Sequence, residues 1–337
     1  MERRHRVSMT DIAREAKVSP ATVSRALNGH PTVSDKVRRS VLDAAERLGY
    51  VRNLGAVSLA SSQSNTVGLL IRDAGNQFYG GLASRIQAET DRYGFDLLIT
   101  AGGDTLESQE RAVRNLLGHG VGGIVIASGR VAAEAAEYSA RFVPSLVLGT
   151  GLELPSLSSV RIDPHMEAGL ARRVVDHGHR SIAVTASEDP LASTLHARTA
   201  NFLTELVVAK TDTYIVSFSE QGGVDELGRQ VDRALADGVT AIMAGSDEMA
   251  LQILEYLNIS GLRCPQDVSV TGFDGIGAYR SSLLGLTTIE QPVDELAHAA
   301  IKLMSRHMNE EHAQTAQILV PGRFVKGRTL GMAQTSD

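Results

Sequence analysis

The sequence predicts an α+β multidomain chain, a small helical head followed by a large α/β body built on parallel sheets. Three observations carry the prediction. The chain has 337 residues, more than one ordinary domain and enough to bury sizeable cores. Its first fifty residues resolve into capped amphipathic helices, whereas from Val67 onward short β-rich runs alternate with helical stretches. Charge divides at the same place. Residues 1 to 60 carry 11 Lys+Arg against 6 Asp+Glu, a net of +5, which leaves 22 against 33, or -11, for the remainder.

That asymmetry bounds the partners. A basic head attracts a polyanion and an acidic body repels one, so contact with nucleic acid is expected only at the N-terminus. Hydrophobic residues at 43% and charged residues at 21% are ordinary globular values. No run of 18 apolar residues is present, and MERRHRVSMT is not followed by an apolar signal segment, so no membrane span and a cytoplasmic location are expected. The single cysteine, Cys264, reads as packing and cannot form an internal disulfide.

The head reads as three helices. Thr10 suits the N-cap of the first, over Asp11 to Ala16, with Ile12, Ala13 and Ala16 on one face. Lys17 and Val18 turn the chain. Ser19 then caps a second helix that opens on Pro20, where a missing N–H costs nothing, buries Val23 and Leu27, and ends at Asn28 and Gly29. Ser34 suits the cap of a third, through Leu48, with Val37, Val41, Ala45 and Leu48 on its inner stripe and Gly49 as its stop. Two short helices joined tightly, with a third closing the core, describe a helix-turn-helix module. With Val23 and Leu27 inward, Pro20, Ala21, Thr22, Ser24 and Arg25 lie on the free side of the second helix. Small residues let it enter a major groove, Arg25 offers a fork of donors to guanine, and Ser19, Thr22 and Ser24 suit phosphates or base edges.

The segments MTDIAREAKVSPATVSRALNG and VSDKVRRSVLDAAERLGYVRN resemble the DNA-binding head of the lactose/galactose repressor family of bacterial transcriptional regulators. The resemblance implies base selection by Pro20, Ala21 and Arg25. Together with Thr10, Ser19, Thr22, Ser24 and Asn28 of the head and Arg52, Asn53 and Leu59 of the following segment, these are the expected DNA-binding residues.

That segment, VRNLGAVSLASSQSNT, is a linker by composition. Leu54, Val57 and Leu59 can form a helix too short to stand alone, and Gly55 weakens it by roughly 1 kcal/mol. The resemblance implies a hinge helix that orders on the operator, pairs with its dimer mate and inserts Leu59 into the minor groove. Arg52 stands where the family usually has proline, and Val57 where it often has arginine.

In the body, strands are expected at 67–71, 95–100, 123–128, 145–148, 181–186, 214–218, 241–245 and 268–273. Helices fit between them at 78–93, 106–117, 166–177, 197–208, 225–236 and 248–257. Such alternation specifies parallel sheets covered by helices, compatible with one large sheet, a barrel or two lobes. The resemblance selects a two-lobed, periplasmic-binding-protein-like effector domain with crossovers near Asp163, near Gln291 and after the last helix. The implied division is a head at 1–50, a hinge at 51–62 and a body at 63–337, with lobe 1 at about 63–162 and 290–320 and lobe 2 at about 163–289.

Ligands of open parallel sheets sit off the carboxyl ends of strands, which singles out Asp73, Asn76, Asp247 and Asp274. Phe78 and Tyr79 open the first body helix, and Arg198 lies early in another. Carboxylates, an amide and an arginine beside aromatic faces suit a hydroxyl-rich ligand. DAGNQFYG, RTANF, SDEMA and GFDG also resemble the family's effector-pocket segments, which implies effector-binding roles for Asp73, Asn76, Phe78, Arg198, Asp247 and Asp274. Gln77 replaces the usual proline, Asn201 a glycine, Ser246 an asparagine, Gly275 an acid or amide, and Pro164 an asparagine. No cofactor is expected. His177 and His179 lack a third ligand in a convincing pattern, so no metal site is expected either.

The resulting expectation is a ligand-responsive transcriptional regulator, most simply a repressor of carbohydrate-related genes. It would bind a near-palindromic double-stranded operator as a homodimer, under a sugar-, polyol- or nucleoside-like effector. No heptad tail follows GRTLGMAQTSD, so a coiled tetramer tail is not expected. The competing class is a sugar-binding or sugar-converting α/β enzyme with a helical cap. Against it, GFDGIGAY has the wrong glycine order for a pyrophosphate loop, and neither a Walker lysine nor a nucleophile–base–orienter set is recognisable. A free transport module would need export and has no use for a basic head.

Overall fold

A computed structural model describes residues 7–51, 64–152, 154–219, 223–310 and 313–334. The chain divides into two compact units, Met1–Gln63 and Ser64–Asp337.

The first unit holds α1 (Met9–Ala16), α2 (Pro20–Leu27) and α3 (Asp35–Leu48) around Ile12, Ala13, Val23, Ala26, Val33, Val41, Ala44 and Ala45. These side chains are small or β-branched, so the helices approach closely around a modest core. Ser19 caps α2 as expected, its hydroxyl accepting the Thr22 N–H at 3.1 Å. Two caps differ from the sequence reading. Ser8, not Thr10, begins α1: its hydroxyl accepts the Asp11 N–H while Asp11 accepts the Ser8 N–H at 2.9 Å, a reciprocal capping box that draws the start two residues earlier. Thr10 is thereby an exposed residue inside the first turn. Ser34 occupies the N-cap of α3, but its side chain makes no capping hydrogen bond.

The second unit begins with β1 (Thr66–Ile71), α4 (Gln77–Tyr93), β2 (Asp96–Ala101), α5 (Leu106–Gly118), β3 (Gly123–Ala127), α6 (Ala133–Ala140), β4 (Ser145–Leu148) and β5 (Ser158–Ile162). The chain then leaves this lobe to form α7 (His165–Asp176), β6 (Ser181–Ser187), α8 (Ser193–Val208), β7 (Asp212–Phe218), α9 (Gly223–Ala236), β8 (Ala241–Met243), α10 (Asp247–Ile259) and β9 (Ser269–Thr271). A 3-10 turn at Gly277–Arg280 and β10 (Thr288–Glu290) close the second lobe. The chain returns with α11 (Val293–Asn309) and β11 (Gln317–Val320), and crosses a third time into β12 (Arg323–Val325), which pairs antiparallel with β10.

The first sheet is parallel with order β11-β5-β4-β3-β1-β2, and the second is parallel with order β7-β6-β8-β9. Helices cover both faces. Under the first sheet, Leu69, Ile86, Val125 and Leu146 meet Leu296, Ala300 and Met304 of α11, so a helix from late in the sequence completes an early core. Four strands (β5, β10, β11, β12) lie outside the eight expected runs. The run expected at 241–245 ends at Met243, and that at 268–273 shrinks to Ser269–Thr271, because the chain turns there into the loops that carry Ser246 and Asp274.

Candidate functional site

In the head, Ser19, Pro20, Ala21, Arg25 and Asn28 are exposed, and Thr22 and Ser24 are half-buried, so these residues share the free side and the two ends of α2. Ser19 and Thr22 are locked together by a 2.9 Å hydroxyl–hydroxyl bond. Arg25 rests its Nε on the Ala21 carbonyl at 3.3 Å, which fixes the stem and directs the guanidinium along the helix surface. Arg38 has a different task. It bonds the Ala26 and His30 carbonyls and ties α3 to the end of α2. Arg52, Asn53 and Leu59 lie outside the described residues.

In the body, the loops after the strands converge on a cavity of about 420 Å³, within the range of small-molecule sites. Asp73, Asn76 and Phe78 line it from the first lobe, and Arg198 and Asp274 from the second. Asn76 acts twice. Its Oδ1 caps α4 by accepting the Phe78 N–H at 2.9 Å, and its Nδ2 donates to Glu248 of the other lobe at 3.1 Å.

Arg198 is 3% exposed and is held from several sides. It donates to the Gly245 carbonyl, stacks 3.6 Å from the centroid of Phe273, and lies 3.6 Å from the Asp274 carboxylate and 3.9 Å from Glu167. Cation–π and ionic contacts of this kind hold a desolvated guanidinium in one orientation. Its Nε and the Glu167 Oε2 have no hydrogen-bond partner among the described residues. Two acids, Glu167 and Asp274, thus flank this buried cation, whose charge also acts on the carboxylate of Asp247. Burial pushes the Asp274 carboxyl up to about 7, opposed by Arg198 and reinforced by the nearby Asp247. Burial also raises Glu167 and Asp247 above the usual carboxylate range. Asp274 has φ 131, a backbone conformation side chains rarely adopt, and strain of this kind persists only where neighbours enforce it.

Asp247 departs from its expected place. It is fully buried behind the wall, accepting the Gly275 N–H and the Thr288 hydroxyl at 2.6 Å each, and does not line the cavity. Its role is to hold the loop that presents Asp274. The acid facing the cavity from this helix is its neighbour Glu248.

Of the other lining residues, Arg130 and Thr194 are not singled out by the sequence, and Tyr79 is singled out only as an aromatic face at the start of the first body helix. Arg130 is buried, pairs with Asp189 of the other lobe at 2.7 Å and follows β3, where the strand-end rule would have found it. Tyr79 accepts the Gly129 N–H at 2.9 Å, and burial raises its phenol above the usual range. Thr194 stitches the lobes, donating to the Gly149 carbonyl at 3.0 Å and accepting the Gly151 N–H at 3.1 Å. Gly151 permits this approach, since a Cβ there would lie 2.6 Å from the Ser193 carbonyl oxygen. The cavity thus offers fixed acceptors, a fixed guanidinium and aromatic edges, a set suited to orienting hydroxyl groups.

Residues 8–53 match the bacterial regulatory proteins of the lacI family, and residues 171–330 match the periplasmic binding protein-like domain. The chain is 32% identical over 328 residues to catabolite control protein A of Priestia megaterium, covering 94% of this chain and 97% of that protein. The chain belongs to the lacI family. It is a transcriptional regulator with a DNA-binding head and a periplasmic-binding-protein-like body. Among solved lacI-family structures it resembles the Lac repressor dimer bound to operator and the anti-inducer ONPF, with TM-score 0.83 and 26% identity over 97% of this chain and 100% of that one. It also resembles a regulator from Enterococcus faecium with bound ribose, with TM-score 0.67 and 25% identity over 80% of this chain and 100% of that one. No helix among the described residues is long and apolar enough to cross a membrane.

Proposed function

We propose that this lacI-family member represses carbohydrate-related genes. Two copies bind a near-palindromic operator through α2, with a sugar-, polyol- or nucleoside-like effector in the interlobe cavity controlling their hold on DNA. The observation that carries this reading is the convergence of Asp73, Asn76 and Phe78 from one lobe with Arg198 and Asp274 from the other on a single cavity. An effector touching both lobes favours one lobe arrangement over another, and only such differential contact shifts a regulator between states. The ligands in the related structures, ONPF and ribose, belong to proteins built the same way.

A homodimer is favoured by the sheet edges. Parallel sheets normally bury both faces, yet β2 and β7 are edge strands whose residues Ile99 and Ile215 are 43% and 47% exposed. A second copy covering these edges supplies the two-fold symmetry that doubles contacts on a symmetric site. The chain acts in this reading as a regulator in the cytoplasm and not as an enzyme, its cavity carboxylates serving as hydrogen-bond acceptors.

The test is fluorescence anisotropy on a palindromic duplex selected from random DNA, with a panel of sugars, polyols and nucleosides. The full chain is expected to bind with strong salt dependence and far more tightly than a chain ending at residue 62, and at least one compound is expected to change that binding. Equal binding by both chains, or no response to any compound, would overturn the reading.

A further inference from the structure

The Gln77 side chain reaches from the first turn of α4 into the second lobe, where its Oε1 accepts the N–H of Ala278 at 3.0 Å. Ala278 belongs to the 3-10 turn Gly277–Arg280, whose own N-cap residue, Ile276, provides no side-chain hydrogen bond. The amide oxygen therefore supplies from across the cleft a cap that the turn's sequence lacks. Gly277 makes room for it. Its φ of +56 suits glycine, and a Cβ there would lie 2.3 Å from the Gln77 Oε1. One residue earlier, Asn76 donates to Glu248. Two consecutive residues of one lobe thus grip two separate elements of the other, and one of these pairs, Asn76 and Glu248, lines the cavity itself.

We propose that Gln77 is a positioning residue that latches the two lobes closed over the cavity. This rests on the reading of the cavity as the effector site, because a latch of this kind sets how much of the protein is already in the capturing arrangement. Apparent affinity scales with that fraction, so the latch tunes the effector concentration at which the regulator responds. The contact is solvent-exposed and neutral, and its loss is expected to move the closed-to-open ratio by about twofold to tenfold.

The test uses the full chain with Cys264→Ser and spin labels at cysteines replacing Ser84 on α4 and Glu255 on α10. Interlobe distances are read by pulsed electron paramagnetic resonance without added sugar. Gln77→Met removes the acceptor at nearly constant length, Gln77→Glu retains one, and Ala278→Pro removes the donor. Gln77→Met and Ala278→Pro are expected to enlarge the long-distance population to a similar degree. Combining them is expected to add little, and Gln77→Glu to resemble the parent. Amide exchange at Ala278 should quicken in Gln77→Met. A distance change in these variants with no compound of the panel bound leaves the latch standing and removes the effector reading, so the two failures are distinguishable. Unchanged distances in Gln77→Met, or an equal change in Gln77→Glu, would overturn the latch.

Discussion

Gln291 binds Asp274 twice, donating its side-chain N–H to the carboxylate at 2.7 Å and its backbone N–H to the Asp274 carbonyl at 2.9 Å. Gln291 stands where the chain crosses back toward the first lobe, so the carboxylate on the cavity wall is fastened to a crossing segment between the two sheets.

This carboxylate makes stability depend on pH. Its folded-state value of about 7 exceeds the unfolded value of about 4. Its contribution is therefore fully present below pH 4, falls as pH rises toward 7, and is constant above that. The stability of the parent minus that of Asp274→Asn is expected to drop by roughly 2–4 kcal/mol between pH 4 and pH 8. Denaturant unfolding of both proteins across this range checks it. A difference that does not change with pH refutes the assignment.

Asp247 and Asp274 separate holding from binding. Asp247→Ala leaves the Gly275 N–H and the Thr288 hydroxyl without their acceptor, and is expected to cost about 1–3 kcal/mol of body stability. Asp274→Ala is expected to abolish the effector response while leaving operator binding by the head intact. Melting curves beside anisotropy titrations distinguish the two.

Arg25 and Arg38 divide the head's work. Arg25→Ala is expected to weaken operator binding by about 1–3 kcal/mol and to relax selectivity at one base position. Arg38→Ala removes the bonds to the Ala26 and His30 carbonyls, so it is expected to lower the head's melting temperature and to weaken binding to all sequences alike. A base-substitution series on the duplex reads the difference.

The start of α1 gives a direct test of capping. Ser8→Ala is expected to destabilise the head by about 1 kcal/mol, whereas Thr10→Ala is expected to change it by less than half as much. Amide exchange of the α1 residues in the full chain is the measurement.

Legibility in the sequence followed the range of the forces involved. Ser19-Pro20, Gly49 and the stripe from Val41 to Ala45 are local signals, and α2 and α3 were legible from them. Ser145–Leu148 stood out as a compact apolar run. Strand β5 did not, because SSVRI breaks the apolar pattern with two serines and is buried by β4 on one side and by β11, drawn from 317–320, on the other. Helix α6, AEAAEYSA, shows little periodicity because alanine tolerates either face. Asp247 and Glu248 differ by only one position, yet one step rotates a helix by about 100°, which turns the first into the core and the second toward the cavity. Arg130 and Thr194 act through partners about sixty and forty-five residues away, Asp189 and Gly149, a pairing that residue spacing alone does not reveal.

The three crossings between the lobes govern how the chain is made. The first sheet lacks its outer strand, and its core lacks Leu296, Ala300 and Met304, until residues 293–320 have left the ribosome, by which time all of the second lobe but β12 and the residues after it has emerged. Synthesis from the N-terminus therefore produces an early lobe with an uncovered apolar flank for most of translation. Nascent chains halted before residue 290 should be held by chaperones, and full chains freed from the ribosome released.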